Sequence, residues 1–468
     1  MPAKDIRELY QTSDALGLAK FVQRREVTSS ELMEAAIAQA EEINPRINAL
    51  VSWDYERGRS DARAAHANST FSGVPYLEKN HGVQVAGFKT TNGSKFLHRI
   101  APVAKEDSES VRRLRAAGMI PFGMTNSPEM GLAWTTEPKI YGATLNPWNL
   151  DFSPSSSSGG AAAAVATRIV PVAGGSDGGG SIRMPAGFCG LVGLKPSRGR
   201  IADPWQNSTG TVLGCLTRTV RDTAAYLDVT SGRRPGDLFT PPTREESFVD
   251  LSAREPKRLR VGLATSMPLG VEVDPEIVAC LNEIARLLES FGHQVEPCEL
   301  NLYTEACRAA RERLFAVQMA QRLLATQVAL GAQMLDDDFE PATWSVFELG
   351  KSVDAITFAA DLGAIRDSAH DIAGRLARYD VVLCPVYPAH TYRRGKSDYR
   401  VEFGEYISTI NTCGVPAISL PVGEFNDGLP LGVQVVGQYG DEATLLQVGN
   451  TLEQELRWHE RKPTILKE

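Results

Sequence analysis

No Cys-x-x-Cys pair occurs in this chain, and its seven cysteines are scattered. That argues against a zinc ribbon, a thioredoxin-type site or a disulfide scaffold, and for reduced, buried thiols in a cytoplasmic protein. The seven histidines include no His-Glu-x-x-His, and no set of them is spaced like zinc ligands. No Gly-Lys-Ser/Thr follows the glycine runs at 159–160 and 174–180, so these are not a Walker phosphate loop. Ser-x-x-Lys is missing throughout, which disfavours a penicillin-binding type of site. Long hydrophobic runs are missing too. The longest, Ala161 to Val172, is interrupted by Arg168 and is too short to span a bilayer. The charged start, Met1-Pro2-Ala3-Lys4-Asp5-Ile6-Arg7, has no apolar signal core. Positive charge is in deficit: a net charge of −8 argues against a nucleic-acid or anionic-membrane surface. There are no internal repeats and no low-complexity tail.

What is present is enough for a large core. A chain of 468 residues, 43% hydrophobic and 23% charged, reads as an ordinary globular protein of two or three domains, or one large α/β domain with an insertion. Thr28-Ser29-Ser30-Glu31 forms a capping box for a helix carrying Leu32, Ala36 and Ile43, which Pro45 should stop. Asp107 to Ala117 predicts a helix ended by Gly118, and Met119 to Gly123 a strand. Ile169 to Ala173 and Arg258 to Ala264 are further candidate strands. Asp274 caps a helix with Ile277, Leu281, Ile284 and Leu288 inward and Gly292 at its end. His293 to Glu296, Asp380 to Cys384, Ala417 to Val422 and Leu431 to Val436 read as strands, and Asp441 to Leu456 as a closing helix. The alternation predicts an α/β fold with a large mixed β-sheet flanked by helices on both sides. Glu299 to Arg378 is mostly helical and reads as an insertion packed over the sheet. The proline- and charge-rich stretch from Arg233 to Lys257 reads as surface linker.

The chemistry concentrates between Phe152 and Arg183. Two small-residue loops, Ser155-Ser156-Ser157-Ser158-Gly159-Gly160 and Gly174-Gly175-Ser176-Asp177-Gly178-Gly179-Gly180-Ser181, bracket one apolar segment. A serine at the end of a glycine run lies beside bare backbone N–H groups, an arrangement that suits a hydroxyl nucleophile next to an oxyanion hole. Ser181 is the leading candidate; buried flanks at Val170-Pro171-Val172 and Phe188 to Leu194 argue against a plain solvated linker. Ser176 fits Gly-x-Ser-x-Gly, but that elbow needs a helix directly after the serine. The three glycines and Pro185 that follow oppose one, so Ser176 ranks low as a nucleophile. A serine needs a base. His293, His370, His390 and His459 remain open as bases brought in from a distance. Lys79, in Gly73-Val74-Pro75-Tyr76-Leu77-Glu78-Lys79-Asn80, is the other candidate if its amine is held neutral. From the residues alone, a snorkelling surface lysine is the better reading of it.

The stretch from Gly73 to Arg200 resembles the amidase signature family. The matching pieces are Gly73-Val74-Pro75 with Lys79, Thr125-Asn126-Ser127-Pro128-Glu129, Gly142 to Trp148, and Ser157-Ser158-Gly159-Gly160. Asp177-Gly178-Gly179-Gly180-Ser181-Ile182-Arg183 and Cys189 to Pro196 follow in order, and Asn411 to Ala417 resembles a later core motif. The resemblance implies the amidase signature fold and a Ser–cis-Ser–Lys triad. Ser181 would be nucleophile, Ser157 a proton relay on a cis peptide bond, and Lys79 the base. The amides of Gly178, Gly179, Gly180 and Ser181 would form the oxyanion hole. Asp177 and Arg183 are expected to brace the loop. The reaction implied is hydrolysis of a carboxamide C–N bond through a serine acyl-enzyme, with no metal and no cofactor. The implied organisation is N-terminal helices over 1–66, the catalytic core over 67–235, a variable and mainly helical insertion lining the pocket over 236–395, and a return to the core sheet over 396–468, all in one compact domain.

Three departures from the family pattern stand out: Asn80 where Asp usually follows the lysine, Ser155 and Ser156 where Gly-Gly usually precedes the cis-serine, and Ala161 for a common Ser. The first removes a negative charge near Lys79, which should help keep its amine neutral. Pocket residues are expected at Met130, Gly131, Leu132 and Trp134, which favour an apolar or aryl acyl group. Within the family, Gly73 to Tyr76, Thr135-Thr136-Glu137-Pro138, Tyr141 to Thr144 and Arg234-Pro235-Gly236-Asp237 look most like the enzymes that hydrolyse 6-aminohexanoate cyclic dimer. That implies small apolar, aryl or cyclic amides, and by chemical similarity carbamates. The expected partner is a small-molecule amide, with no nucleic acid and no membrane; a homodimer is compatible. Two rivals stay open: the A subunit of a tRNA-dependent amidotransferase, acting as a glutaminase, and a non-catalytic binding protein on the same scaffold.

Overall fold

The computed structural model describes residues 3–202, 210–267, 270–300, 304–396 and 401–467. Its strands are β1 (Leu50–Trp53), β2 (Pro75–Lys79), β3 (Ile120–Thr125), β4 (Val172–Asp177), β5 (Val192–Lys195), β6 (Val212–Thr217), β7 (Arg260–Leu263), β8 (Gln294–Pro297), β9 (Val381–Pro385), β10 (Ala417–Glu424) and β11 (Pro430–Val436). They form one 11-stranded sheet in the order β1-β3-β2-β4-β6-β5-β10-β11-β9-β7-β8. The sheet is mixed: β3, β2 and β4 run parallel, β4 through β9 alternate antiparallel in spatial order, and β9, β7 and β8 are parallel again. Successive side chains of a strand point to opposite faces. Every residue of β2, β3, β4, β5, β6 and β9 is buried, so both faces of the sheet are covered.

Local sequence explains most elements. The capping box at Thr28 and Glu31 is formed, opening the helix Ser29–Ile47. Pro45 does not stop that helix. It lies in the last turn, and the chain leaves only at Asn48, in the left-handed region, with its N–H bonded to Asn44 O. The expected strand at Ile169 begins later, at Val172. Arg168 is left-handed after the helix Gly159–Ala166, so Ile169 to Pro171 are spent turning the chain into β4. Pro185 does not prevent a helix either. Arg183–Cys189 is helical, with Pro185 third, where its missing N–H costs nothing.

The segment between 236 and 395 is more than an insertion. It supplies β7, β8 and β9 to the sheet's far edge, and its helices Glu305–Leu330, Pro341–Ser352 and Ala355–Leu376 pack on one another. Glu129, from the Thr-Asn-Ser-Pro-Glu stretch, ties this layer to the core. Its carboxylate accepts from Glu340 N at 2.6 Å and Thr343 Oγ1 at 2.7 Å, at the start of the Pro341–Ser352 helix.

Candidate active site

β2 and β4 are parallel neighbours, so residues at their C-terminal ends meet at one edge of the sheet, the usual place for ligands in open α/β sheets. Lys79 ends β2, and Ser176 and Asp177 end β4. Ser157 arrives from the loop that enters the Gly159–Ala166 helix, eight small buried residues that let the backbone lie close on β2 and β4. The Ser156–Ser157 peptide bond is cis.

Lys79, 1% exposed, donates to Ser157 Oγ at 2.7 Å and to Ser176 Oγ at 3.0 Å. Burial pulls its pKa down to about 7, against the opposing carboxylates of Asp177 and Glu78. An amine in this state is neutral for a large part of the time near neutral pH. Asn80 turns away: its Oδ1 accepts from Thr91 N at 2.7 Å. Negative charge comes instead from Glu78, whose Oε1 accepts from Lys79 N at 2.8 Å and Oε2 from the Tyr76 hydroxyl at 2.7 Å. Desolvation raises the Glu78 pKa to about 7.

Ser181 is partly exposed, and its carbonyl accepts from Ser158 N at 3.2 Å, so the two loops lie side by side. The second loop is held from below. Asp177 accepts from Gly180 N at 2.7 Å, from Ile182 N at 3.2 Å and from Arg183 Nε at 3.0 Å. Arg183, wholly buried, also reaches Asn411 Oδ1 at 2.6 Å and Gln434 Oε1 at 3.0 Å, and Asn411 Nδ2 returns to Asp177 O at 2.8 Å. The Gly180 N–H, expected in the oxyanion set, is committed to Asp177. Gly180 has φ +104°, and a side chain there would meet Ile407 at 2.6 Å.

A cavity of about 410 Å3 adjoins these loops. Thr211, one of its walls, also stands over Gly178: a Cβ on Gly178 would lie 2.8 Å from Thr211 Oγ1. On the other side, a Cβ on Gly131 would lie 3.5 Å from both Ser157 Oγ and His81 Cε1, and His81 and Met130 are walls of the same cavity. The helix Glu305–Leu330 closes it with Phe315, Met319 and Arg322. Of the expected pocket residues, Met130 lines this cavity and Gly131 stands between it and Ser157. Leu132 and Trp134 are not among its walls. Leu132 packs with Phe96 and Phe339, and Trp134 lies against Tyr387, ring centroids 6.4 Å apart. The histidines left open as bases are elsewhere: His293 accepts from Leu259 N, His370 is exposed on the helix Ala355–Leu376, and His390 and His459 face Asp427 and Glu453. His81, two residues beyond the lysine, is the one histidine among these cavity walls. Its only sequence signal was the nearness to Lys79.

The chain matches the Amidase family model over residues 31–446. It is 38% identical to a 6-aminohexanoate-cyclic-dimer hydrolase of Paenarthrobacter ureafaciens, over 97% of each chain, and 37% identical to one of Pseudomonas sp. (strain NK87), again over 97% of each. Among solved structures, a 6-aminohexanoate cyclic dimer hydrolase superposes with a TM-score of 0.93 at 36% identity, covering 97% of this chain and 99% of that one. A bacterial aryl acylamidase of the amidase signature family superposes with a TM-score of 0.87 at 26% identity, covering 96% and 98%. The chain therefore belongs to the amidase family, as a hydrolase of C–N bonds other than peptide bonds.

Proposed function

We propose that this enzyme hydrolyses small apolar, aryl or cyclic amides by acyl transfer through Ser181. Lys79 takes the Ser181 proton by way of Ser157, and the alkoxide attacks the amide carbonyl. The oxyanion rests on the amides of Gly178, Gly179 and Ser181. The proton returns through Ser157 to the leaving nitrogen, the C–N bond breaks, and water then hydrolyses the acyl-enzyme. The observation that carries this reading is the 2.7 Å contact between a fully buried lysine amine and Ser157 Oγ. Cyclic and aryl amides are favoured because relatives named for those activities cover nearly the whole chain, and the apolar wall of Met130, Phe315 and Met319 suits them. A cytoplasmic location fits seven cysteines of which none is in a disulfide, and no described helix is long and apolar enough to cross a membrane. The partner is the small amide itself; homodimerisation is to be read by sedimentation.

A side-by-side screen of anilides, cyclic amides, short carbamates and glutamine tests the reading. Turnover of the first two groups, lost in Lys79→Ala while the fold is kept, is the expected result. Glutaminase activity that needs a co-purifying subunit would replace this reading with the amidotransferase one. Absence of any turnover and of any labelling by phenylmethylsulfonyl fluoride would make the chain a binding protein.

A further inference from the structure

Resting on that reading, the cavity says more about the substrate than its apolar lining does. Its described walls include one permanent cation, Arg322, and no carboxylate. Arg322 sits at the exposed rim, on the turn of Glu305–Leu330 that also carries Met319 and Leu323. Its Nε donates to Gln318 O at 3.3 Å, which directs the stem along the helix. The charge is felt within the cavity. After burial and Lys79, Arg322 is the third cause that holds the His81 imidazole well below its usual pKa. His81 in turn lies across the Gly131 gap from Ser157. The described walls thus hold His81, the apolar Met130, Leu97 and Met319, and one guanidinium, with Ser157 across Gly131 from His81.

We propose that Arg322 is a specificity residue and that the enzyme prefers amides whose cavity-side chain ends in a carboxylate. The apolar stretch takes methylenes or a ring, and the planar guanidinium takes the carboxylate in a paired, charge-assisted contact. A neutral ester of the same shape gains the apolar contacts only. Pairing at an exposed rim gives a preference of up to about five-fold in kcat/KM.

The test uses two matched series of alkyl anilides, one with the terminal carboxylate on the acyl chain and one with it on the aniline side, each beside its methyl ester. The readout is the acid-to-ester ratio of kcat/KM within each protein, so a general loss of activity does not enter. In at least one series the wild type should favour the acid about three- to five-fold. The ratio should fall towards one in Arg322→Gln, invert in Arg322→Glu, and shrink with added salt in the wild type, as contacts at an exposed rim do. A wild-type ratio near one in both series, or a ratio that survives Arg322→Gln, overturns the proposal while leaving the amidase reading standing. Failure to cleave esters, acids and plain anilides alike would overturn that reading instead.

Discussion

Lys79 carries two opposed burdens. Its amine must be buried to be neutral, and burial of an amine destabilises the fold. Because the folded lysine binds its proton less tightly than the unfolded one, the unfolded chain holds the extra proton between about pH 7 and the ordinary lysine range. Stability therefore rises with pH across that window. Lys79→Met should be inactive yet more stable than the wild type at pH 6, with the difference in Tm shrinking towards pH 10. Scanning calorimetry at both pH values checks this; a constant or growing difference would contradict it. Ser176 orients the same amine, and Ser176→Ala should lower kcat about ten-fold with KM little changed. Glu78 opposes neutrality when ionised, so Glu78→Gln should move the acid limb of kcat/KM to lower pH. An unmoved limb would show that Glu78 holds its proton throughout. Little of this was visible in the sequence beyond family likeness. Residue by residue, Lys79 reads as a surface lysine, because its burial depends on β3 and β4 closing over β2 from far along the chain. Sequence presents Ser176 only as a weak candidate attacker; its contact with Lys79 depends on the pairing of β2 and β4, which no local pattern encodes.

Elements were easier to read where local chemistry decides them. The capping box, the Asp274 cap and the strands near the C-terminus lie close to their expected bounds. Prolines misled in both helices, since a proline near a helix end is tolerated where the same residue in the middle is not. The sequence does not announce β5 and β6: β5 has only four residues, and Gly193 and Gly214 dilute the β character of both. The Asp177–Arg183 loop depends on the helix Val401–Cys413, through Ile407 and through Asn411, which lies 228 residues beyond Arg183. Gly180→Ala should push the loop off Ile407 and, at φ +104°, strain it, cutting turnover ~100-fold or more with the fold kept. Activity near wild type would mean the loop accommodates a side chain. Circular dichroism together with kcat measures both.

The whole molecule is an 11-stranded sheet with a helical layer tied to its core. The layer is fastened at Glu129, whose pKa desolvation raises to about 7. Glu129→Ala should loosen the layer, seen as faster hydrogen exchange in Pro341–Ser352, and should raise KM more than it lowers kcat. Unchanged exchange there would detach Glu129 from this role. The mixed α/β architecture is readable from alternating patterns along the chain, whereas the docking of the helical layer is not, because contacts distant in sequence set it: Glu129 with Glu340 and Thr343, Arg99 with Asp338, and Phe96 with Phe339. The proposal for the whole reduces to one chain of groups, a neutral Lys79, Ser157 and Ser181. Its most direct test is the pH dependence of covalent labelling by a fluorophosphonate, with the modified residue identified by mass spectrometry. The expected result is modification of Ser181 at a rate that rises through about pH 7 and collapses in Lys79→Ala. Label on another residue, or a rate that rises only in the ordinary lysine range, would contradict it.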